Sequence, residues 1–329
     1  MHSGTTNPVV RLDLPDGRRA PFAEHCLVRP EHIRCFAQWI GDDHPAHADP
    51  EAAAALGFAG LAAPPTFASM LLLRAERRIL PTLLDGAEPV RLLHTDQTLQ
   101  IGRLLVAGDV IATDVYIESA EQFSDYEKFC VTTVLTDRSG VVAQLGTSTL
   151  LSCGHRFRHR ITTSPALETA RARLHPATRT PHDRQAGPLE LHRLAPGDEL
   201  PHSIIRPRHS DVAGFRRLVH DGLPHRITSA GVAPGLLRFG WMARYLGSRF
   251  GHPAAVTSYR AEFSHYCVRG PASVADIEFR GQITDIDIST GMAEVAVNAV
   301  SAGRRLFVRA SASVPVTAIP STRSDRPVR

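Results

Sequence analysis

Hydrophobic positions along the chain fall into two successive blocks of the same kind. In the first block, Glu31–Ile40 has the spacing of a short helix, and a turn-rich loop follows. Pro65–Leu80 then predicts a long apolar helix, with Leu71, Leu72 and Ile79 on its buried face. After it come runs rich in Val, Ile and Thr that predict strands: Leu92–Ile101, Val110–Ile117, Phe129–Thr136 and Val141–Leu151. The second block repeats the order. Ser210–Val219 is a short helical stretch, and Gly235–Leu246 is a long helix burying Leu237, Met242 and Leu246. Its strands are Ala255–Phe263, Ser273–Ile283, Met292–Ser301 and Arg304–Val314. Asp137-Arg138-Ser139-Gly140 and Ser301-Ala302-Gly303 read as hairpin turns. Proline or glycine at the start of each long helix suits the first turn, where a backbone N–H has no partner to lose.

One long helix followed by a strand meander, with no βαβ alternation, is an α+β pattern. Two such units in tandem predict a double hotdog, each half an antiparallel sheet wrapped around its long helix and the two sheets joined edge to edge. Internal repetition agrees: Phe36, Asp42 and Pro45 recur at one constant offset as Phe215, Asp221 and Pro224. Ala63-Pro64 and Ala233-Pro234 correspond after a shortening of the second loop. The expected boundaries are an N-terminal unit over residues 1–154, a polar linker over 155–190, a C-terminal unit over 191–318, and a tail over 319–329. The same edges allow a homodimer of double units.

Composition narrows the function classes. With 329 residues, 43% hydrophobic and 21% charged, the chain is long enough for two domains with real cores. Residues Met1 to Phe22 have no apolar core of the signal-peptide kind. The longest apolar stretch, Leu61–Leu73, is broken by Pro64 and Pro65 and is too short to span a bilayer, so no membrane partner is expected. The five cysteines, Cys26, Cys35, Cys130, Cys153 and Cys267, are scattered without metal-ligand spacing. They predict reduced thiols, a cytoplasmic setting and no metal. No glycine-rich phosphate loop is present, and no cofactor is expected. The net charge of +4 suits an acidic carrier protein or a coenzyme A phosphate, and fits a compositional origin equally well. Spread-out arginines and 6% aromatics argue against nucleic acid.

The chemistry-bearing stretch is Ile40-Gly41-Asp42-Asp43-His44-Pro45-Ala46-His47-Ala48-Asp49. Asp42 and His47 stand five positions apart with Pro45 between them. Eliminating water from a β-hydroxyacyl thioester needs one group to take the α-proton and another to protonate the leaving hydroxyl, and a carboxylate and an imidazole on one loop can divide that work. A donor must also stabilise the enolate-like oxygen, and a backbone N–H at the start of the long helix is the natural source. Capping is the competing role, because an Asp beside a proline also marks a turn or a helix N-cap.

These residues resemble the MaoC-like, or type 2 enoyl hydratase, family, whose motif runs Gly-Asp-x-Asn-Pro-(Ile/Leu)-His-x-Asp. Gly41, Asp42, Pro45, His47 and Asp49 match it, and His44 replaces the Asn. Gly57 to Phe67, His94-Thr95-Asp96-Gln97-Thr98-Leu99 and Val106-Ala107-Gly108-Asp109-Val110 resemble the N-terminal dehydratase region of that family. The second half carries Ala195-Pro196-Gly197-Asp198, Ala255-Val256-Thr257-Ser258-Tyr259 and Phe307-Val308-Arg309-Ala310-Ser311-Ala312. The whole resembles a fusion of the helper and catalytic subunits of the mycobacterial (3R)-hydroxyacyl-ACP dehydratase. The resemblance implies a hydratase or dehydratase acting on acyl thioesters of coenzyme A or acyl carrier protein, with a carboxylate at Cα and an imidazole at the β-oxygen.

Each half departs from the motif in its own way. The first keeps acid and histidine but has Pro64-Pro65 where the family has His-Gly, so Thr66 would have to supply a donor. The second keeps Gly235, but Asp221 and His225 are only four apart. Asp42 and His47 are therefore the first choice of acid–base pair and Asp221 and His225 the second, with His44, Pro65, Thr66 and Gly235 as substrate-binding candidates. An acyl tunnel is expected to open near the Asp42–His47 loop. Two alternatives stand beside the dehydratase: another acid–base reaction on the same fold (isomerisation, oxa-Michael closure or thioester hydrolysis), and a non-catalytic acyl-binding helper.

Overall fold

The alternating strands assemble one sheet of 13 strands that runs through both halves of the chain. The computed structural model describes residues 9–13, 19–23, 25–85, 92–152, 156–157, 164–174, 195–220, 235–264 and 275–316. The first half opens with β1 (Val9–Asp13), β2 (Arg19–Ala23) and β3 (His25–Leu27), followed by α1 (Pro30–Ile40), α2 (Pro50–Ala55) and the long α3 (Ala68–Leu83). A short β4 (Leu84–Asp85) precedes β5 (Leu92–Ile101), β6 (Val110–Gln122), β7 (Glu127–Thr136) and β8 (Val142–Ser152), and β9 (Arg156–Phe157) pairs back on β4. After α4 (Pro165–Leu174), the second half runs through β10 (Glu199–Ile205), α5 (His209–His220), α6 (Gly235–Phe250) and β11 (Ser258–Phe263). It closes with β12 (Ile277–Asp287), β13 (Met292–Ser301), β14 (Arg304–Arg305) and β15 (Phe307–Pro315).

Strand order shows the duplication directly. The first half pairs β5-β8-β7-β6-β3 and the second pairs β11-β15-β13-β12-β10, the same path twice. The seam is β5 against β11, antiparallel, with Leu99 opposite Tyr259. Among the described pairings only β1 with β6 is parallel. This is the expected tandem hotdog.

Each long helix packs on its own part of the sheet. Ala75 and Ile79 of α3 pack on Val115, Phe129, Val131 and Leu150, and Tyr245 of α6 stacks on Phe279 at 5.6 Å. Leu71, Leu72, Ile79, Leu237, Met242 and Leu246 are all buried, as their spacing predicts. Gly146 lets β8 approach α3, because a Cβ there would stand 2.1 Å from Leu72 Cδ1. The repeat-related Phe36 and Phe215 meet each other, ring centroids 6.0 Å apart. Equivalent residues in mutual contact mark the pseudo-two-fold axis of an isologous interface.

Three expectations change. The first long helix starts as a 3₁₀ turn, Pro65–Phe67, because Pro64 and Pro65 fix φ and the turn closes through Phe67 N–H on the Pro64 carbonyl at 2.9 Å. β11 starts at Ser258 rather than Ala255, since Ala255 is held in a turn by the His252 carbonyl at 3.1 Å. The bridge over 155–190 contains α4, whose Leu167, Ala170 and Leu174 are buried against Val134, Val142 and Leu145. That spacing of three and four is helical but is diluted by arginine and threonine. Asp221 and His225 lie outside the described residues, as do Cys153 and Cys267. No helix among the described residues is long and apolar enough to cross a membrane.

Candidate acid–base site

The Asp42–His47 loop is built from a run of caps. Helix α1 ends at Gly41, whose φ of 69° turns the chain while Gly41 and Asp42 donate their N–H groups to Gln38 and Ala37 at 3.1 and 2.8 Å. Asp42 Oδ1 accepts the His44 N–H at 3.2 Å. His44 then caps the 3₁₀ turn Pro45–His47, its Nδ1 accepting the Ala46 N–H at 3.2 Å. A histidine ring nitrogen here does what an Asn side-chain oxygen does at an N-cap. Asp49 caps α2 by accepting the Glu51 N–H at 3.0 Å, with Pro50 opening the helix. Capping therefore claims His44, Asp49 and one oxygen of Asp42, and leaves Asp42 Oδ2 for other work.

His47 is pinned from the opposite side. Its Nδ1 lies 2.7 Å from the Ala62 carbonyl, an acceptor only, so Nδ1 carries the hydrogen. Ala62 itself donates to the Ala46 carbonyl at 3.0 Å and forms a bridge with Val106, so the carbonyl that holds the ring is fixed in turn. Nε2 consequently faces Asp42 Oδ2 at 3.4 Å, long for a hydrogen bond. It is buried and makes no hydrogen bond. Burial alone would raise the Asp42 carboxyl, but the contacts with His47 and His44 outweigh it and hold the group below the usual carboxylate range. Burial, then the neighbouring His47, push His44 down, while Asp42, Asp43 and the Gly251 backbone oppose them. Burial and then His44 push His252 down as well.

The second half roofs this loop. The Arg244 guanidinium of α6 lies over Gly41, 3.0 Å from where a Cβ would stand, and Gly240 fits against Ile40, with 2.4 Å between such a Cβ and Ile40 Cγ2. The His252 ring packs on Phe58 at 5.9 Å. From β11, Tyr259 presents a buried phenol whose hydroxyl has no hydrogen-bond partner. Thr66, just after the prolines, is likewise buried with an unpartnered Oγ1. Pro65 is buried and contributes no N–H. Gly235 opens α6, and Phe263 lies 2.9 Å from where its Cβ would be, so close packing accounts for the glycine there.

The structure thus brings Asp42, His44 and His47 together, and adds Arg244, His252 and Tyr259, which sequence reasoning left unassigned. The signals for Tyr259 were its place in the segment Ala255–Tyr259 that carries the resemblance and the alternation of Tyr259, Ala261 and Phe263 with polar neighbours, which the structure turns inward. A cleft of about 280 Å³ formed by described residues lies elsewhere, on the other face of the sheet under α4, lined by Asp114, Tyr116, Thr136 and Arg173 among others. It is not the tunnel expected at the loop.

Comparison with known proteins places the chain among relatives. Residues 20–144 match the family described as FAS1-like, dehydratase domain region. A UPF0336 protein of Streptomyces avermitilis is 34% identical over 124 residues, which is 38% of this chain and 83% of the relative. A solved MaoC-like dehydratase superposes with a TM-score of 0.72 at 25% identity, covering 89% of this chain and 96% of its own. A double-hotdog protein of Mycobacterium tuberculosis does so with a TM-score of 0.54 at 13% identity, covering 88% of this chain and 93% of its own.

Proposed function

Because the chain belongs to the UPF0336 family and has the MaoC-like double hotdog fold, we propose that it interconverts 3-hydroxyacyl and 2-enoyl thioesters carried on coenzyme A or acyl carrier protein, with Asp42 and His47 as its acid–base pair. The observation that carries this reading is the buried, hydrogen-bond-free His47 Nε2 facing the one Asp42 oxygen that capping leaves over. In dehydration the Asp42 carboxylate takes the α-proton. The electron pair forms the Cα–Cβ double bond, and the β-hydroxyl leaves as water with the proton from Nε2 of His47, whose ring enters the step carrying a hydrogen on both nitrogens. The pair then holds one proton on Asp42, and transfer across the 3.4 Å gap to Nε2 restores the starting state. Asp42, held below the usual carboxylate range, gives up that proton readily, which favours the return. Hydration runs the same steps backwards.

Mass spectrometry tests the reading. The pure protein is incubated with 3-hydroxyacyl and 2-enoyl thioesters of graded chain length, on coenzyme A and on carrier protein. The expected product differs from its substrate by one water. Release of free acid identifies a thioesterase, and an isobaric product an isomerase or oxa-Michael cyclase. No change with any thioester leaves an acyl-binding helper and ends the proposal.

A further inference from the structure

Buried polar groups in folded proteins are almost always hydrogen-bonded, and those that are not call for an explanation. The Tyr259 hydroxyl is such a group: the residue is 1% exposed and the oxygen has no partner. Its ring is fixed, edge-on to Phe239 of α6 with centroids 5.9 Å apart. The same turns of α6 reach the Asp42 loop. Gly240, next to Phe239, packs against Ile40, and Arg244 lies over Gly41. One rigid helix therefore carries both the wall behind Tyr259 and the roof over the residues leading into Asp42. The two groups also feel each other, since burial first and then the Asp42 charge push the pKa of the phenol far above its usual value. A phenol so placed keeps its proton, so its O–H is available as a hydrogen-bond donor.

The reaction proposed for Asp42 and His47 calls for a donor besides that pair, and the buried, unpartnered hydroxyls of Thr66 and Tyr259 are the two on hand. As the α-proton leaves, negative charge builds on the thioester carbonyl oxygen, and a preorganised donor at that oxygen lowers the barrier. The turn before α3 opens with Pro65, which has no N–H to offer. We propose that the Tyr259 hydroxyl, supplied by the second half, donates a hydrogen bond to the thioester carbonyl oxygen of the substrate on which Asp42 and His47 of the first half act. The inference rests on the function proposed above. Tyr259 neither gains nor loses a proton; it stabilises the enolate-like oxygen while Asp42 holds the α-proton.

The test uses the full chain, wild type and Tyr259→Phe, with butyryl-pantetheine labelled with ¹³C at the carbonyl. This saturated thioester can be neither hydrated nor dehydrated. In the wild type, the bound carbonyl resonance is expected to move to higher frequency than in the free thioester, and Tyr259→Phe to abolish most of that displacement. With a turned-over enoyl thioester, the same variant is expected to lower kcat by about 10²-fold with a much smaller change in KM. A merely structural tyrosine would alter thermal stability and leave the carbonyl resonance in place, so a bound resonance identical in the two proteins overturns the assignment. A wild type that turns over no thioester but shows the Tyr259-dependent displacement removes the proposed reaction and keeps the donor. A wild type that binds no thioester overturns both.

Discussion

Replacing Asp42 by Asn separates the two roles that this side chain combines. The amide oxygen of Asn can still accept the His44 N–H, now bonded to Asp42 Oδ1 at 3.2 Å, so the cap on the loop survives. What disappears is the ionisable oxygen facing His47 Nε2 at 3.4 Å. If that oxygen takes the α-proton, kcat falls by about 10²- to 10⁴-fold, the range for losing a positioned acid or base. At about 1.4 kcal/mol per decade this is roughly 3 to 5.5 kcal/mol of transition-state stabilisation. KM should move little, because the interaction removed belongs to the transition state. The assay is the initial rate of water addition to an enoyl thioester, with the thermal unfolding midpoint of each protein as a control for folding. A well-folded Asp42→Asn protein that turns over at the wild-type rate would refute the assignment and leave Asp42 as a cap alone.

Three further outcomes follow from the same region. Gly41→Ala places a Cβ at a φ of 69° and 3.0 Å from Arg244, so stability should fall by about 1–2 kcal/mol in chemical denaturation; Gly41→Asn should cost less, because Asn tolerates that conformation. His44 and His252 both have folded pKa values below their unfolded ones, so the stability they permit is fully present above about pH 6.5 and is lost as pH falls through that value towards the lowered folded ones. The denaturation midpoint should therefore drop over that window, and His252→Phe should flatten the drop. Gly240→Ala puts a Cβ 2.4 Å from Ile40 Cγ2 and should destabilise by about 1–3 kcal/mol; combined with Ile40→Ala the loss should be smaller than the sum of the two single changes.

Much of this architecture was legible in the chain because each long element satisfies one strong local rule. Pro65–Leu80 and Gly235–Leu246 have helical apolar spacing, and β12 alternates inward Ile277, Phe279 and Ile283 with exposed Arg280 and Gln282. The elements that escaped are those whose local signal is weak. Three buried positions in α4 are outnumbered by polar neighbours, and β3 is only three residues long. The Asp42–His47 pair was visible as a spacing, but the division of labour was not. That His44 is occupied as a cap, and that the Ala62 carbonyl fixes which His47 nitrogen is free, are consequences of loop closure. Tyr259 is harder still, since nothing near it in sequence says that its hydroxyl lies in the field of Asp42. That proximity comes from β11 pairing with β5 and α6 packing on α1, contacts between distant parts of the chain.

The mutual contact of Phe36 and Phe215, equivalent residues meeting across a pseudo-two-fold axis, has a consequence for how the protein responds to dilution. In a dimer of separate hotdogs such an interface forms by collision, and the seam corresponding to β5 and β11 is lost once concentration falls below the dissociation constant. Here both partners ride on one chain, so each meets the other at a local concentration that dilution does not change. Activity per molecule should then be the same at nanomolar as at micromolar protein. The covalent link also releases the two halves from having to change in step. A substitution at Phe36 leaves Phe215 untouched, so one half can hold a working loop while the other becomes its roof.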